Sequence, residues 1–131
     1  MKKLVAAGLL VSSLAFGAEY SKAEQVITMQ TLESAMGMIQ KGFLRDNGVI
    51  VKMGVTSLKE NLNNIHNFVI RKSVLDENFN AKAYADTEAE SMNKLADAIL
   101  SNFETGKKAE ARVSYDKTLS RCIACHRIIR K

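Results

Sequence analysis

Residues 51–69 read VKMGVTSLKENLNNIHNFV, in which Val51, Val55, Leu58, Leu62, Ile65 and Val69 recur at spacings of four and three. That period puts six apolar side chains on one face of a helix, where a strand would alternate every second residue. Upstream, Met29, Leu32, Met36, Ile39 and Phe43 repeat the pattern, predicting a helix over 23–45. Asp46-Asn47-Gly48 between the two combines a residue tolerant of the left-handed conformation with a glycine, which stops one helix and turns the chain.

Downstream the pattern lapses from about Arg71 to Asn80, the longest connection. It resumes with Ala85, Ala89, Met92, Ala96, Ile99 and Phe103, and Thr105-Gly106 marks a stop. The segment 107–130 places Tyr115, Leu119, Cys122 and His126 on one face. Four amphipathic helices joined by short turns predict an all-α, antiparallel up-down-up-down four-helix bundle, since each stripe is buried only against the others. Composition agrees: 131 residues make one domain, and 7 Gly with no Pro and 6% aromatics disfavour turn-rich sheet architectures. Gly37, Gly42 and Gly54 fall inside helical patterns, through close approach of a neighbouring helix or a bulky ligand or through ordinary drift.

The N-terminus carries a different signal. Met1-Lys2-Lys3 is a short positive head, Leu4 to Phe16 is an apolar run, and Ala15 to Ala18 supplies small residues. This reads as a secretory signal peptide over 1–18, cut after Gly17 or Ala18 and leaving a domain over 19–131. The run is about 13 residues, short of the roughly 20 a membrane span needs, so stable insertion is not expected and the periplasm is the expected compartment. Without Lys2 and Lys3 the formal charge falls from +5 to +3. No basic block is interleaved with aromatics, which sets nucleic-acid binding aside.

Cys122-Ile123-Ala124-Cys125-His126 carries the chemistry. Two thiols three positions apart lie close together on a helix, and the following imidazole projects from the same turn. The spacing is that of c-type haem attachment: the thiols add across two vinyl groups and the imidazole binds iron. A dithiol or structural disulfide also uses Cys-x-x-Cys in exported proteins, but the redox dithiol normally sits in a βαβ context that a Pro-free helical chain lacks. Zinc would have to recruit His66 to Cys122, Cys125 and His126. No Ser/His/Asp or paired-carboxylate set is present, so an enzyme is not expected.

The signal segment, four helices and a haem motif near the C-terminus of the last helix resemble the cytochrome c-prime superfamily. Specific identity is confined to two patches. Arg130 falls on the basic position of the family's Cys-x-x-Cys-His-x-x-x-Arg, close to the proximal side of the haem, and Ser34-Ala35-Met36 is similar to the first-helix segment that sets a residue over the open face of the iron. Leu32 stands where the family often has an Arg touching a propionate, and Ile129 where it often has an aromatic. The resemblance, closest to the methionine-ligated members, implies one covalent haem c on Cys122 and Cys125, iron ligation by His126 and Met36, Arg130 beside the ring, and redox partner proteins; it allows a homodimer.

Met36 lies on the interior stripe, whereas Met38 is rotated by roughly 200° and Met29 lies about 10 Å along the axis. The expectation is an electron carrier with Met36 as sixth ligand; the alternative is a five-coordinate haem that binds nitric oxide or carbon monoxide. Met29, Met38, Met53 and Met92 are expected to fill the core, and His66 to lie at a helix edge. Arg121, Arg127, Arg130 and Lys131 either complement a helix C-terminus or rim a docking surface for an acidic redox partner.

Overall fold

A computed structural model describes residues 18–71 and 73–129. The expected signal segment up to Gly17, Arg130 and Lys131 therefore lie outside the described residues. Four α-helices follow in order: α1 (Lys22–Leu44), α2 (Gly48–Asn64), α3 (Ala81–Glu104) and α4 (Lys108–Ile129). No strand occurs among the described residues, and no described helix is long and apolar enough to cross a membrane.

Helices α1, α2 and α3 each start where a side chain can satisfy orphan N–H groups. Ser21 accepts from the Glu24 N–H while Glu24 accepts from the Ser21 N–H, a reciprocal capping box, and Asn47 and Asn80 accept from Ile50 N–H and Ala83 N–H. The Ser21 bonds hold the Glu24 carboxyl below the usual carboxylate range. The first turn departs from expectation in one detail. Asp46 takes the positive φ, +49°, while Gly48 is already the first residue of α2.

Helices α2 and α3 pack antiparallel, and the order of cross-helix pairs shows it: Lys59 with Asp97, Asn63 with Asn93 and, on the 3-10 turn just past α2, His66 with Asp86 run in opposite directions along the chain. The interior holds Leu32, Ile39, Val51, Val55, Leu58, Leu62, Ile99 and Phe103, the stripes expected from the sequence. Contacts between successive helices dominate, whereas α1 and α4 approach each other only sparsely. That seam is bridged by Phe43, whose ring meets Tyr115 edge-on at 5.6 Å and stacks on Phe103 at 5.6 Å.

Two stripe assignments and one core methionine are corrected. Val69 is not helical: α2 stops at Asn64, a 3-10 turn (Ile65–Asn67) follows, and the chain then extends to bury Phe68 against Tyr20. Leu119 is 41% exposed, and its place in the interior is taken by Thr118. The buried line of α4 runs through Ala111, Tyr115, Thr118 and Cys122, and Leu119 sits about 80° round from Ala111. Thr118 can be buried because its hydroxyl donates to Ser114 O at 2.9 Å. Met53 is exposed rather than core, whereas Met92 is buried and Met29 packs against the core.

The two interior glycines are close-approach positions. A Cβ on Gly54 would lie 2.7 Å from Ile39 Cγ1 and 2.9 Å from Ile39 N, and one on Gly42 would lie 2.8 Å from Val51 N. Backbone atoms cannot move aside cheaply, so α1 and α2 must separate. Gly54→Ala is expected to destabilise by about 2 kcal/mol, even after its gain in helix propensity. Gly37, with nothing within 4 Å of its would-be Cβ, is the control: Gly37→Ala is expected to stabilise by about 0.5–1 kcal/mol. Urea unfolding of both variants checks the pair, and the reverse order would refute the close-approach assignment.

Candidate functional site

The Cys-x-x-Cys-His motif occupies the last two turns of α4, at the end of the bundle where the long connection returns. Val74 N–H donates to Ile128 O at 2.8 Å, tying that connection to the end of α4. Both cysteines are free thiols and half-buried. Burial pushes the Cys122 thiol up; burial, then the Glu88 carboxylate and the neighbouring Cys122, push Cys125 up to about 11. A redox-active dithiol is activated by the opposite shift. Both thiols are therefore protonated at neutral pH.

Helix α3 supplies a second layer that the sequence reading missed. Tyr84, Glu88 and Met92 recur every fourth residue, one edge of the Ala85/Ala89/Met92 stripe, and all three face the motif. Met92 Sδ lies 3.6 Å from Cys122 Sγ. Glu88 accepts from Arg121 Nη1 through both carboxylate oxygens at 3.0 Å, which fixes the turn preceding Cys122. Burial first, then the Glu88 and Cys125 charges, raise the Tyr84 hydroxyl above its ordinary value, and Phe79 packs on its ring at 5.5 Å. The period-of-four spacing was the available signal. It gains meaning only once α3 is known to face the motif.

No protein-family model, curated protein or solved structure matches the chain. The site is read from its own residues.

Met36 is 7% exposed and lies on the side of α1 that carries Phe43. Because Phe43 meets Tyr115 across two antiparallel helices, seven residues along each bring Met36 and Cys122 to a common level, about 10 Å from that contact. By the same arithmetic Met29 stands level with Ile129. His126 is half-buried one turn beyond Cys122. Apolar surface flanks these groups: Ile123, between the two thiols, is 52% exposed, and Leu119 lies one turn below it.

His66 is exposed on the 3-10 turn, and its Nδ1 lies 3.2 Å from Asp86 Oδ1, an oxygen that Lys82 also contacts. That accounts for its edge position and gives it a partner away from the cysteines. Among the described residues no group of three or more His, Cys, Asp and Glu side chains is arranged to hold a metal ion, so the four-ligand zinc set is not assembled. Of the basic run at the end of α4, Arg121 is held by Glu88, while Arg130 lies outside the described residues.

Proposed function

We propose that this chain is an exported c-type cytochrome that carries single electrons in the periplasm or an equivalent compartment. The observation that carries the reading is the donor set on α4: two free thiols within one helical turn and an adjoining imidazole, beside the loosely packed α1/α4 seam and level with a buried methionine. These residues fit a covalent haem. Cys122 and Cys125 would hold the ring through thioether bonds: a free, reduced thiol adds its sulfur and hydrogen across a vinyl double bond without any change of oxidation state, whereas a disulfide would first have to be reduced. His126 would ligate the iron from α4 and Met36 from α1. When bound, the haem supplies a one-electron couple.

The chain's own residues perform the supporting work. Glu88 fixes Arg121 and with it the start of the motif; Met92 packs against Cys122; Val74 ties down the end of α4. Leu119 and Ile123 provide apolar surface for a planar apolar group to cover, worth roughly 25 cal/mol per Å² removed from water. Thioether with imidazole ligation favours a higher potential than two imidazoles, which suits a carrier.

The intact mass of the protein after export, in a host with haem-attachment machinery, tests the reading. One haem above the processed polypeptide is expected. The bare mass, with both thiols free or joined in a disulfide, would sink it.

A further inference from the structure

Along the outer side of α3 and α4, away from the Met36-bearing seam, runs a groove of about 860 Å³ whose floor includes Leu95 and Val113 and whose walls carry Lys94, Lys117 and Arg121. Its volume falls in the range of about 300–1,000 Å³ usual for binding clefts. Residues 107–131 hold eight Lys and Arg against two Asp and Glu, whereas residues 73–106 hold two against seven. Even so, α3 contributes a lysine to this groove, so cations stand on both walls. Lys94 and Lys117 are exposed and take part in no ion pair among the described residues. Arg121 uses only Nη1 on Glu88. The single acid in the lining, Asp116, is neutralised by the Arg112 Nε–H, which donates to both its oxygens at 2.9 and 3.0 Å.

We propose that this groove docks an acidic segment of a partner protein, with its carboxylates on Lys94, Lys117 and Arg121 and one apolar side chain on Leu95 and Val113. Three cations around a short apolar floor match alternating acidic and apolar groups. A nucleic acid would want aromatic stacking surfaces, which the lining lacks. A lipid chain would want a longer apolar channel. Arg121 immediately precedes Cys122 in the chain, so the groove ends one residue short of the motif, on the side of α4 turned away from the α1/α4 seam. That the partner is a redox protein rests on the function proposed above; the docking itself does not.

The test is calorimetric titration of the processed protein, as purified, with a seven-residue peptide of six acidic residues around a central Phe. This readout is indifferent to haem content, which the intact mass reports separately. Saturable binding is expected, weakened at least about ten-fold by the double substitution Lys94→Glu/Lys117→Glu and by raising salt from about 20 to about 200 mM. Val113→Ser should weaken it about three-fold. Lys52→Glu, on the far face beside Met53, should leave it unchanged. Absence of binding, equal loss with Lys52→Glu, or binding indifferent to the double reversal would overturn the proposal. So would capture by phosphatidylglycerol vesicles, in place of the peptide, that the same reversal abolishes.

Discussion

Replacing both Cys122 and Cys125 by Ala is expected to give a chain at its bare polypeptide mass, melting about 10–20 °C below the parent. The size follows from what the substitution removes on the proposed reading. A large apolar group held at the end of a small bundle contributes on the order of 3–5 kcal/mol, the range found when large side chains are deleted from cores. A ligand bound only to the folded state stabilises in the same direction. In a domain of this size each kcal/mol moves the midpoint by several degrees. Mass spectrometry and thermal circular dichroism of parent and variant check both halves. A structural disulfide would also raise the midpoint, but the parent would then carry no added mass. An unchanged melting curve would place the group at the periphery.

The second large effect concerns Met36. Met36→Leu is expected to convert a low-spin protein that binds carbon monoxide slowly into a high-spin one that binds it quickly, because a nearly isosteric side chain removes only the thioether donor. The structure adds a rival. Met92 Sδ touches Cys122 Sγ at 3.6 Å and is as deeply buried as Met36, so Met92→Leu is the necessary companion. Met36 lies on α1, across the loose seam from Cys122; Met92 comes from α3, packed beside the thiol-bearing turn. A spectrum changed by Met36→Leu and spared by Met92→Leu is the expected result. The converse would transfer the ligand to Met92, and a parent already high-spin would replace the carrier by the five-coordinate, gas-binding reading.

The interior was legible where size and period agree. Leu58, Leu62, Ile39 and Ile99 are fully buried, because a large aliphatic residue on a three-and-four stripe has no comparable alternative to facing the core. Helix α4 was misread for the converse reason. Its interior line is built of Ala111, Ser114, Tyr115, Thr118 and Cys122, mostly small or weakly polar, so a stripe drawn through the largest apolar residue picks Leu119 instead. Ala85, Ala89 and Ala96 on α3 are buried as well, so both helices present slender faces to the core while Leu119 stays exposed. Val69 failed for another reason. Phe68 is buried, and extending the chain after Asn67 lets it reach the core.

What the sequence by itself determined is local: four helices, the turns at Asp46–Gly48 and Thr105–Gly106 that reverse the chain, and a thiol, thiol, imidazole set whose spacing is covalent arithmetic along one helix. Which groups surround that set depends on contacts between residues tens of positions apart, and these only the tertiary structure decided. It put Glu88 on Arg121 and Met92 on Cys122, and it joined Phe43 to Tyr115 across the α1/α4 seam. It also decided the glycines. A residue without a side chain carries no apolar signal in a sequence, and the need for its absence at Gly42 and Gly54 exists only because the backbones of α1 and α2 approach within a Cβ's reach.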